Sequence, residues 1–198
     1  YACKQVCAKG AIHSKEDKGF SYPEIDASQC VDCGLCTKVC PVLNPEQCND
    51  VNKDNAVSYA IWNNNLRDRM NSSSGGAFSA LADKVIKEGG IVYGAAWDNA
   101  MRLKHIGVDD INGLESLRRS KYVQSSTDGV FKDVKQKLKL GRQVLFSGTP
   151  CQIAGLLSYL GKKDYPNLIT VGVVCHGVPS QWSFDKYLRE VEEGKNVR

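Results

Sequence analysis

Hydrophobic and polar positions follow two different rhythms along this chain. Apolar residues recur every three or four positions over 77–86 and 131–138, which predicts amphipathic helices. Short apolar runs predict strands at 91–96, 102–108, 143–147 and 168–174, the last two being buried strands. These last two strands flank a predicted helix over 152–160, which indicates a βαβ unit with parallel strands and a right-handed crossover.

The first 60 residues carry a weaker pattern of shorter segments. Two short strands are predicted at 11–13 and 21–25 around a polar turn at 16–19, and a third strand at 57–62. Residues 43–54 hold Asn, Pro and Asp with few large apolar side chains, which is typical of a linker. We therefore predict an α+β chain in three parts, over 1–48, 55–135 and 141–198.

Composition and charge exclude several classes of function. The chain has 198 residues, 42% of them hydrophobic, and no apolar run near the roughly 18 residues of a membrane span. The net charge of +4 is mild and no basic stripe is interleaved with aromatic residues, so nucleic-acid binding is not expected. No secretory signal is visible, and Tyr1 stands where an initiator Met would be. We therefore expect a fragment, truncated at both ends.

A cysteine run at residues 30–41 carries the most specific chemistry. Its pattern is C-x-x-C-x-x-C-x-x-x-C-P, the spacing with which bacterial ferredoxins bind 4Fe-4S clusters. Gly34 allows the backbone to turn close to the sulfurs, and Pro41 ends the helical turn. The alternative is a four-cysteine zinc site, although zinc motifs usually place two C-x-x-C pairs far apart. The predicted ligands are Cys30, Cys33, Cys36 and Cys40.

Cys3 and Cys7 form the last half of a second motif of the same kind. In two-cluster ferredoxins the fourth cysteine of each run binds the other cluster. Cys7 is therefore predicted to join Cys30, Cys33 and Cys36, and Cys3 to join Cys40 around a second cluster that is incomplete here. Cys48 has no partner at ligand spacing. Cysteines at cluster spacing indicate a reducing compartment, so we expect a cytoplasmic protein.

Two loops have residues suited to binding an anion. Residues 71–76 read Asn-Ser-Ser-Ser-Gly-Gly and precede the amphipathic helix, so free backbone N–H groups there could hold a phosphate. The same letters are also common in an ordinary loop and helix cap. Residues 118–122 are a basic and aromatic cluster that could contact a pyrophosphate and stack on a ring, or could be a solvated loop.

Cys151 and Cys175 each follow the carboxyl end of a strand in the predicted βαβ unit. Ligand sites in open α/β sheets lie at that edge, and Cys151 also stands at a helix N-terminus, which favours the thiolate. If the two strands are neighbours, the two side chains can share a small ligand. A disulfide or two inert thiols are the alternatives. His105 is predicted to be structural, and His13 to be a surface residue of the hairpin.

Several of these stretches together resemble the coenzyme F-420 hydrogenase/dehydrogenase beta subunit family, in its ferredoxin-fused bacterial form. The family also includes chloroplast 7-hydroxymethyl chlorophyll a reductase. Arg119 departs from the family pattern, which usually has Gly before Ser-Lys-Tyr. Apart from the ferredoxin run, the stretches that carry the resemblance lie at 73–78, 92–95, 120–124, 146–152 and 175–179.

The resemblance implies an FAD-binding flavoprotein oxidoreductase supplied with electrons by iron–sulfur clusters. It implies that Ser73, Ser74, Gly75 and Gly76, with Lys121 and Tyr122, border the flavin. It also implies that Cys151 or Cys175 helps to bind a third cluster near the flavin. We expect electrons to pass from a ferredoxin or oxidoreductase subunit through the clusters to FAD and an organic acceptor. The alternatives are a non-catalytic electron-transfer subunit and a protein stabilised by structural zinc.

Overall fold

A mixed four-stranded sheet forms the centre of the body. The computed structural model describes residues 1–45, 56–161 and 163–194. The strands of the sheet are β3 (Ile91–Trp97), β4 (Leu103–Val108), β5 (Val144–Gly148) and β6 (Leu168–Gly172). Their order across the sheet is β4-β3-β5-β6. β3 is antiparallel to β4 and parallel to β5, and β5 is parallel to β6. These bounds match the predicted strands to within two residues.

Helices cover both faces of this sheet. The body helices are α3 (Leu66–Met70), α4 (Ala77–Lys87), α5 (Ile111–Leu117), α6 (Val130–Lys139), α7 (Pro150–Leu160) and α8 (Gln181–Glu192). On one face α6 and α7 supply Phe131, Val134, Leu156 and other buried side chains. On the other face α4 and α5 supply a second cluster that includes Val85 and Leu114. Because both faces are covered, β5 is buried along its whole length, as its largely apolar sequence predicts.

The βαβ unit is confirmed, but its second strand is not buried. β5, α7 and β6 follow one another, and the two strands pair in parallel from Val144 with Leu168 to Gly148 with Gly172. β6 ends at Gly172, is partly exposed, and continues into Val174, which is 83% exposed. The prediction of a buried strand over 168–174 is therefore wrong. Among the described strands, β6 lies at the edge of the sheet and has β5 as its single neighbour.

The predicted strand over 57–62 is also wrong. Residues 56–63 have no regular secondary structure, and Tyr59 and Trp62 are largely exposed. The apolar side chains that suggested a strand have no neighbouring strand to pair with in the described part of the chain. The predicted linker lies mostly outside the described residues, as does Cys48.

The N-terminal module consists of two short helices and a hairpin. α1 (Ala2–Val6) precedes an antiparallel pair, β1 (Ile12–Asp17) and β2 (Phe20–Ile25), and α2 (Leu35–Lys38) follows. The two predicted strands are confirmed, with the turn at Lys18 and Gly19. The division of the chain into parts at 1–48, 55–135 and 141–198 stays a prediction. In the structure, strands from the last two ranges share one sheet.

No helix within the described ranges is both long and apolar enough to cross a membrane.

Candidate redox site

The cysteine run is built on a coiled loop that leads into a very short helix. Asp32 and Gly34, on either side of Cys33, both have positive φ, at 51° and 69°. The Thr37 hydroxyl donates to the Gly34 carbonyl at 2.7 Å and secures the first turn of α2. Cys30 and Cys33 are exposed, and Cys36 and Cys40 are partly buried.

An acidic turn positions the beginning of this loop. The Asp26 carboxylate accepts hydrogen bonds from the backbone N–H and the hydroxyl of Ser28, at 2.9 and 2.6 Å. These bonds lower the pKa of Asp26. The Asp26 carbonyl in turn accepts from the Cys30 N–H at 3.0 Å, so the first ligand candidate is fixed to a preorganised turn.

The second half-motif lies against the first. Cys3 is in α1 and Cys7 is its C-terminal cap, and α1 packs against α2, which contains Cys36. All eight described cysteines are free thiols. Thiols at this spacing fit a 4Fe-4S cluster as a donor set. Within the described ranges, no three His, Cys, Asp or Glu side chains converge on a single metal ion. The pairing of individual cysteines around two clusters stays a prediction.

A buried glutamine that sequence reasoning missed joins the module to the body. The Gln5 side chain donates to the Thr127 carbonyl at 3.0 Å and accepts from the Phe131 N–H at 2.8 Å. Phe131 is in the first turn of α6, so this amide satisfies a helix N–H that has no partner within the helix. One signal could have identified Gln5. Cys3 and Cys7 are four positions apart and share a helix face, so the polar residue midway between them lies on the opposite one.

Further contacts make the module and the body one packed unit. Lys4 pairs with Asp128 at 2.7 Å. Ala2 and Val39 belong to the same buried cluster as Tyr93 and Phe146 in the central strands. The candidate cluster ligands are therefore carried by elements that share a core with the βαβ sheet.

Cys151 and Cys175 occupy equivalent positions in that sheet. Gly148 and Gly172 are register partners at the ends of β5 and β6, and each cysteine follows its glycine by three residues. Both thiols are exposed, and each has a polar neighbour. The Thr149 hydroxyl lies 3.1 Å from the Cys151 sulfur, and the Gly177 N–H donates to the Cys175 sulfur at 3.4 Å. The strand geometry behind the predicted pairing is confirmed, and a shared ligand stays a prediction.

A buried hydrogen-bond network supports the end of β5 below Cys151. His105 Nε2–H donates to the Ser147 carbonyl at 3.0 Å, and its Nδ1 lies 2.8 Å from the Ser125 hydroxyl. The ring stacks on Phe146, and burial lowers the pKa of His105 to about 4. His105 is therefore a neutral structural residue, as predicted. Gln152, in the capping box of α7, donates to the Ser125 carbonyl at 3.4 Å and completes the support.

The two candidate anion-binding loops, 47 positions apart, meet directly. The Ser73 hydroxyl accepts from the Ser120 N–H at 2.7 Å. Arg118 is buried beside them and pairs with Asp68 at 2.8 Å. Its Nε has no hydrogen bond and lies 3.5 Å from the Glu115 carboxylate. The prediction that both loops border one ligand is consistent with this junction.

Lys121 brings a positive charge to the junction. Its amino group donates to the carbonyls of Arg118 and Arg119, at 2.8 and 3.2 Å. Burial lowers the pKa of Lys121, so an anionic neighbour would stabilise its charged form. Tyr122 is 73% exposed, which leaves its ring accessible to a ligand.

The glycines of the loop have a structural requirement of their own. A Cβ on Gly75 would lie 2.5 Å from the Ile61 carbonyl oxygen, and Gly76 has a φ of +79°. Gly76 is the N-terminal cap of α4, and no side chain caps that helix. These glycines are therefore needed for the packing of the loop whether or not it binds a phosphate.

The residue that departs from the expected pattern adopts a conformation typical of glycine. Arg119 has a φ of +69°, in the left-handed region that non-glycine residues rarely occupy. The backbone at this position therefore has a conformation that glycine adopts readily, and glycine is the residue that the expected pattern has there.

Comparison with known proteins gives matches at both ends of the chain. Residues 1–44 match the model of the 4Fe-4S dicluster domain, and residues 141–198 match that of the C terminus of the coenzyme F-420 hydrogenase/dehydrogenase beta subunit. Together the two matches support the expected resemblance to the ferredoxin-fused form of the coenzyme F-420 hydrogenase/dehydrogenase beta subunit family. They support an iron–sulfur oxidoreductase-type subunit with a ferredoxin-type N-terminal region.

A curated relative supports the N-terminal assignment. The chain is 42% identical over 41 residues to a protein named Ferredoxin 7Fe from Hydrogenibacillus schlegelii. The match covers 21% of this chain and 47% of the relative, so the chain spans about half the length of that protein. The loops around Ser73 and Lys121 lie between the two matched regions.

Proposed function

We propose that this protein is an iron–sulfur flavoprotein oxidoreductase that passes electrons from 4Fe-4S clusters to FAD and on to a small organic acceptor. The ferredoxin-type region suggests a redox partner, for which we propose a ferredoxin or another oxidoreductase subunit. The proposed setting is the cytoplasm, in agreement with free thiols, which a reducing compartment maintains.

The observation that carries the flavin proposal is the junction of the two loops. The Ser120 N–H meets the Ser73 hydroxyl three residues before Gly76, the N-terminal cap of the eleven-residue helix α4, which no side chain caps. Lys121 follows Ser120 directly in the chain, and its ammonium group donates to the carbonyls of Arg118 and Arg119 in the same loop. A helix N-terminus presents free N–H groups and a partial positive charge. With one lysine added, these groups suit the pyrophosphate of a dinucleotide.

Each candidate site residue has a distinct part in this proposal. Ser73 holds the second loop in register, Lys121 supplies charge, and the exposed Tyr122 offers a ring for stacking. Cysteines 3, 7, 30, 33, 36 and 40 would hold the clusters of the module, and Cys151 or Cys175 a further one. FAD, when bound, couples one-electron transfers to hydride chemistry.

Flavin and iron analysis of the intact, anaerobically purified protein tests the proposal. We expect both cofactors in the wild type. Lys121→Gln should weaken FAD binding about 10- to 100-fold, the usual range for a lost charged hydrogen bond. Iron content should not change. Lys139→Gln, on the exposed side of α6, is the matched control.

The alternative function gives a different result. A wild-type protein that contains iron–sulfur clusters and no flavin would contradict the proposal and favour a non-catalytic electron-transfer subunit. Substitution of Gly75 is a poor test, because a Cβ there meets the Ile61 carbonyl and would disturb the loop without involving a ligand.

A further inference from the structure

The tip of the module's hairpin contacts the N-terminus of the last helix. The Gln181 N–H donates to the Gly19 carbonyl at 3.1 Å. Gly19 has a φ of +78°, and a Cβ there would lie 2.7 Å from the Trp182 Cβ and 2.9 Å from its backbone nitrogen. The contact between hairpin and helix is therefore so close that only a glycine fits.

The same end of α8 is also attached to the body. Phe184 stacks on Trp97 at the end of β3, with ring centroids 5.1 Å apart. Asp185 pairs with Arg102, just before β4, at 3.0 Å. The Gln181 side chain donates to the Met101 carbonyl at 3.3 Å. These contacts involve the first turns of α8, and none of the helix residues is buried.

A short segment joins this contact to Cys175. Ser180, the cap of α8, is 6% exposed, and its hydroxyl accepts from the Ser183 N–H at 3.2 Å. Five residues separate Cys175 from Gln181. The hairpin tip, the β3–β4 turn and the segment after β6 therefore meet at one place.

We propose that Gly19 and the N-terminus of α8 form a latch that positions the Cys175 segment relative to the ferredoxin module. The latch comprises Gly19, Gln181, Trp182, Phe184 and Asp185. Gln5, Lys4 and the shared core attach the module to the body around α6, and the latch adds a second attachment, to the segment that carries a candidate ligand. Two separated attachments prevent the module from rotating about either one. Electron transfer from the module to the body then depends on the latch.

The proposal predicts that opening the latch separates electron transfer from cofactor content. Gly19→Ala should raise the hydrogen-exchange rate of the α8 amides about tenfold. The added Cβ prevents the hairpin from closing on the helix, so the free energy of locally opening α8 falls. Electron transfer from the dithionite-reduced module clusters to bound FAD should slow about tenfold, because a small displacement of the reacting groups relative to one another can reduce a rate by such a factor. Iron and flavin content should stay at wild-type levels. The electron-transfer measurement rests on the proposed function, whereas hydrogen exchange does not.

Two further variants make the test specific. Gly10→Ala is the matched control, because Gly10 is in the same module with a φ of +68° and a Cβ there would meet nothing within 4 Å. It should leave exchange and electron transfer unchanged. Phe184→Ala opens the latch from the body side without altering the module and should reproduce both effects of Gly19→Ala.

Each result decides the proposal. Unchanged α8 exchange in both Gly19→Ala and Phe184→Ala would overturn the latch. Faster exchange with unchanged electron transfer would overturn its role in positioning. If Gly19→Ala loses iron, Phe184→Ala decides in its place. A wild-type protein without flavin would refute the proposed function, while exchange in the two variants would still decide whether the latch exists.

Discussion

The ferredoxin module and the α/β body are stabilised in different ways. In the described part of the module the buried apolar side chains are Ala2, Ala11, Ile12 and Val39. Over its described residues the body buries twenty, including Tyr93, Phe131 and Phe146 at its centre. A segment as short as the module cannot build a sufficient core from so few side chains, and such domains usually need metals or cross-links. The described part of the body has a larger apolar core on each face of its sheet.

This difference indicates which interactions hold the cysteines of each region in place. The body positions Cys151 and Cys175 through the pairing of β5 with β6. The module's cysteines lie on a loop and on helices of four and five residues, which are too short to be stable alone. We therefore expect clusters to contribute directly to folding of the module, as structural metals do in other small domains.

The largest expected effect comes from removing a cluster ligand. Cys33→Ser in the intact protein should abolish the cluster proposed for Cys7, Cys30, Cys33 and Cys36. Hydrogen exchange over residues 20–40 should become fast, while β3 and β5 stay protected. Cys151→Ser is the comparison variant and should leave exchange in the module unchanged. Equal protection of module and body after loss of the cluster would contradict the difference between them.

A pH effect tests the body. Burial lowers the pKa of His105 to about 4, against about 6.5 in the unfolded chain. The unfolded state therefore binds the proton more readily, and the stabilising effect of neutral His105 is complete above pH 6.5. As the pH falls from 6.5 to 4 this effect is lost, up to about 3 kcal/mol.

Denaturant unfolding of the body as a function of pH measures this contribution. His105→Gln should remove the His105 part of the slope between pH 6.5 and 4, and His13→Gln on the exposed hairpin is the control. If both variants keep the wild-type slope, His105 is not the group responsible.

The next effect concerns the joint between the two regions. Gln5→Leu leaves the Phe131 N–H and the Thr127 carbonyl without their partner, at a cost of about 1–3 kcal/mol. The midpoint of thermal unfolding should fall, and the module should exchange faster than the body. Gln136→Leu, at an exposed position of α6, should have little effect. A variant as stable as the wild type would show that the joint does not depend on this amide.

The parts of the molecule that could be predicted from sequence are those encoded by neighbouring residues. The cysteine spacing, the βαβ unit and the core side of α6 all depend on a few adjacent positions, and each agrees with the structure or with a family match. The errors concern contacts with residues that are distant in the sequence. The burial of β6 and the supposed strand over 57–62 depend on which strands lie alongside them, and the apolar residues of a segment do not determine its neighbours.

The candidate site shows the same division. The letters of residues 73–76 indicated an anion-binding loop, but its contact with Ser120 joins positions 47 apart and could not be foreseen from either stretch. Gln5 was missed because its partners are more than 120 positions away. The joints between regions are therefore the features for which a structure is required.

The smallest effect concerns Arg119, in the loop that meets Ser73. A left-handed φ of +69° costs a non-glycine residue about 1 kcal/mol, and glycine recovers part of this while losing more entropy on folding. Arg119→Gly should therefore raise stability by less than about 1 kcal/mol, or a few degrees in the unfolding midpoint. Arg119→Ala removes the same side chain and its 3.4 Å hydrogen bond to the Asn71 carbonyl but keeps the strained φ, so it should be neutral or destabilising. The difference between the two variants isolates the backbone conformation, and equal unfolding midpoints for both would show that the loop does not store strain at this position.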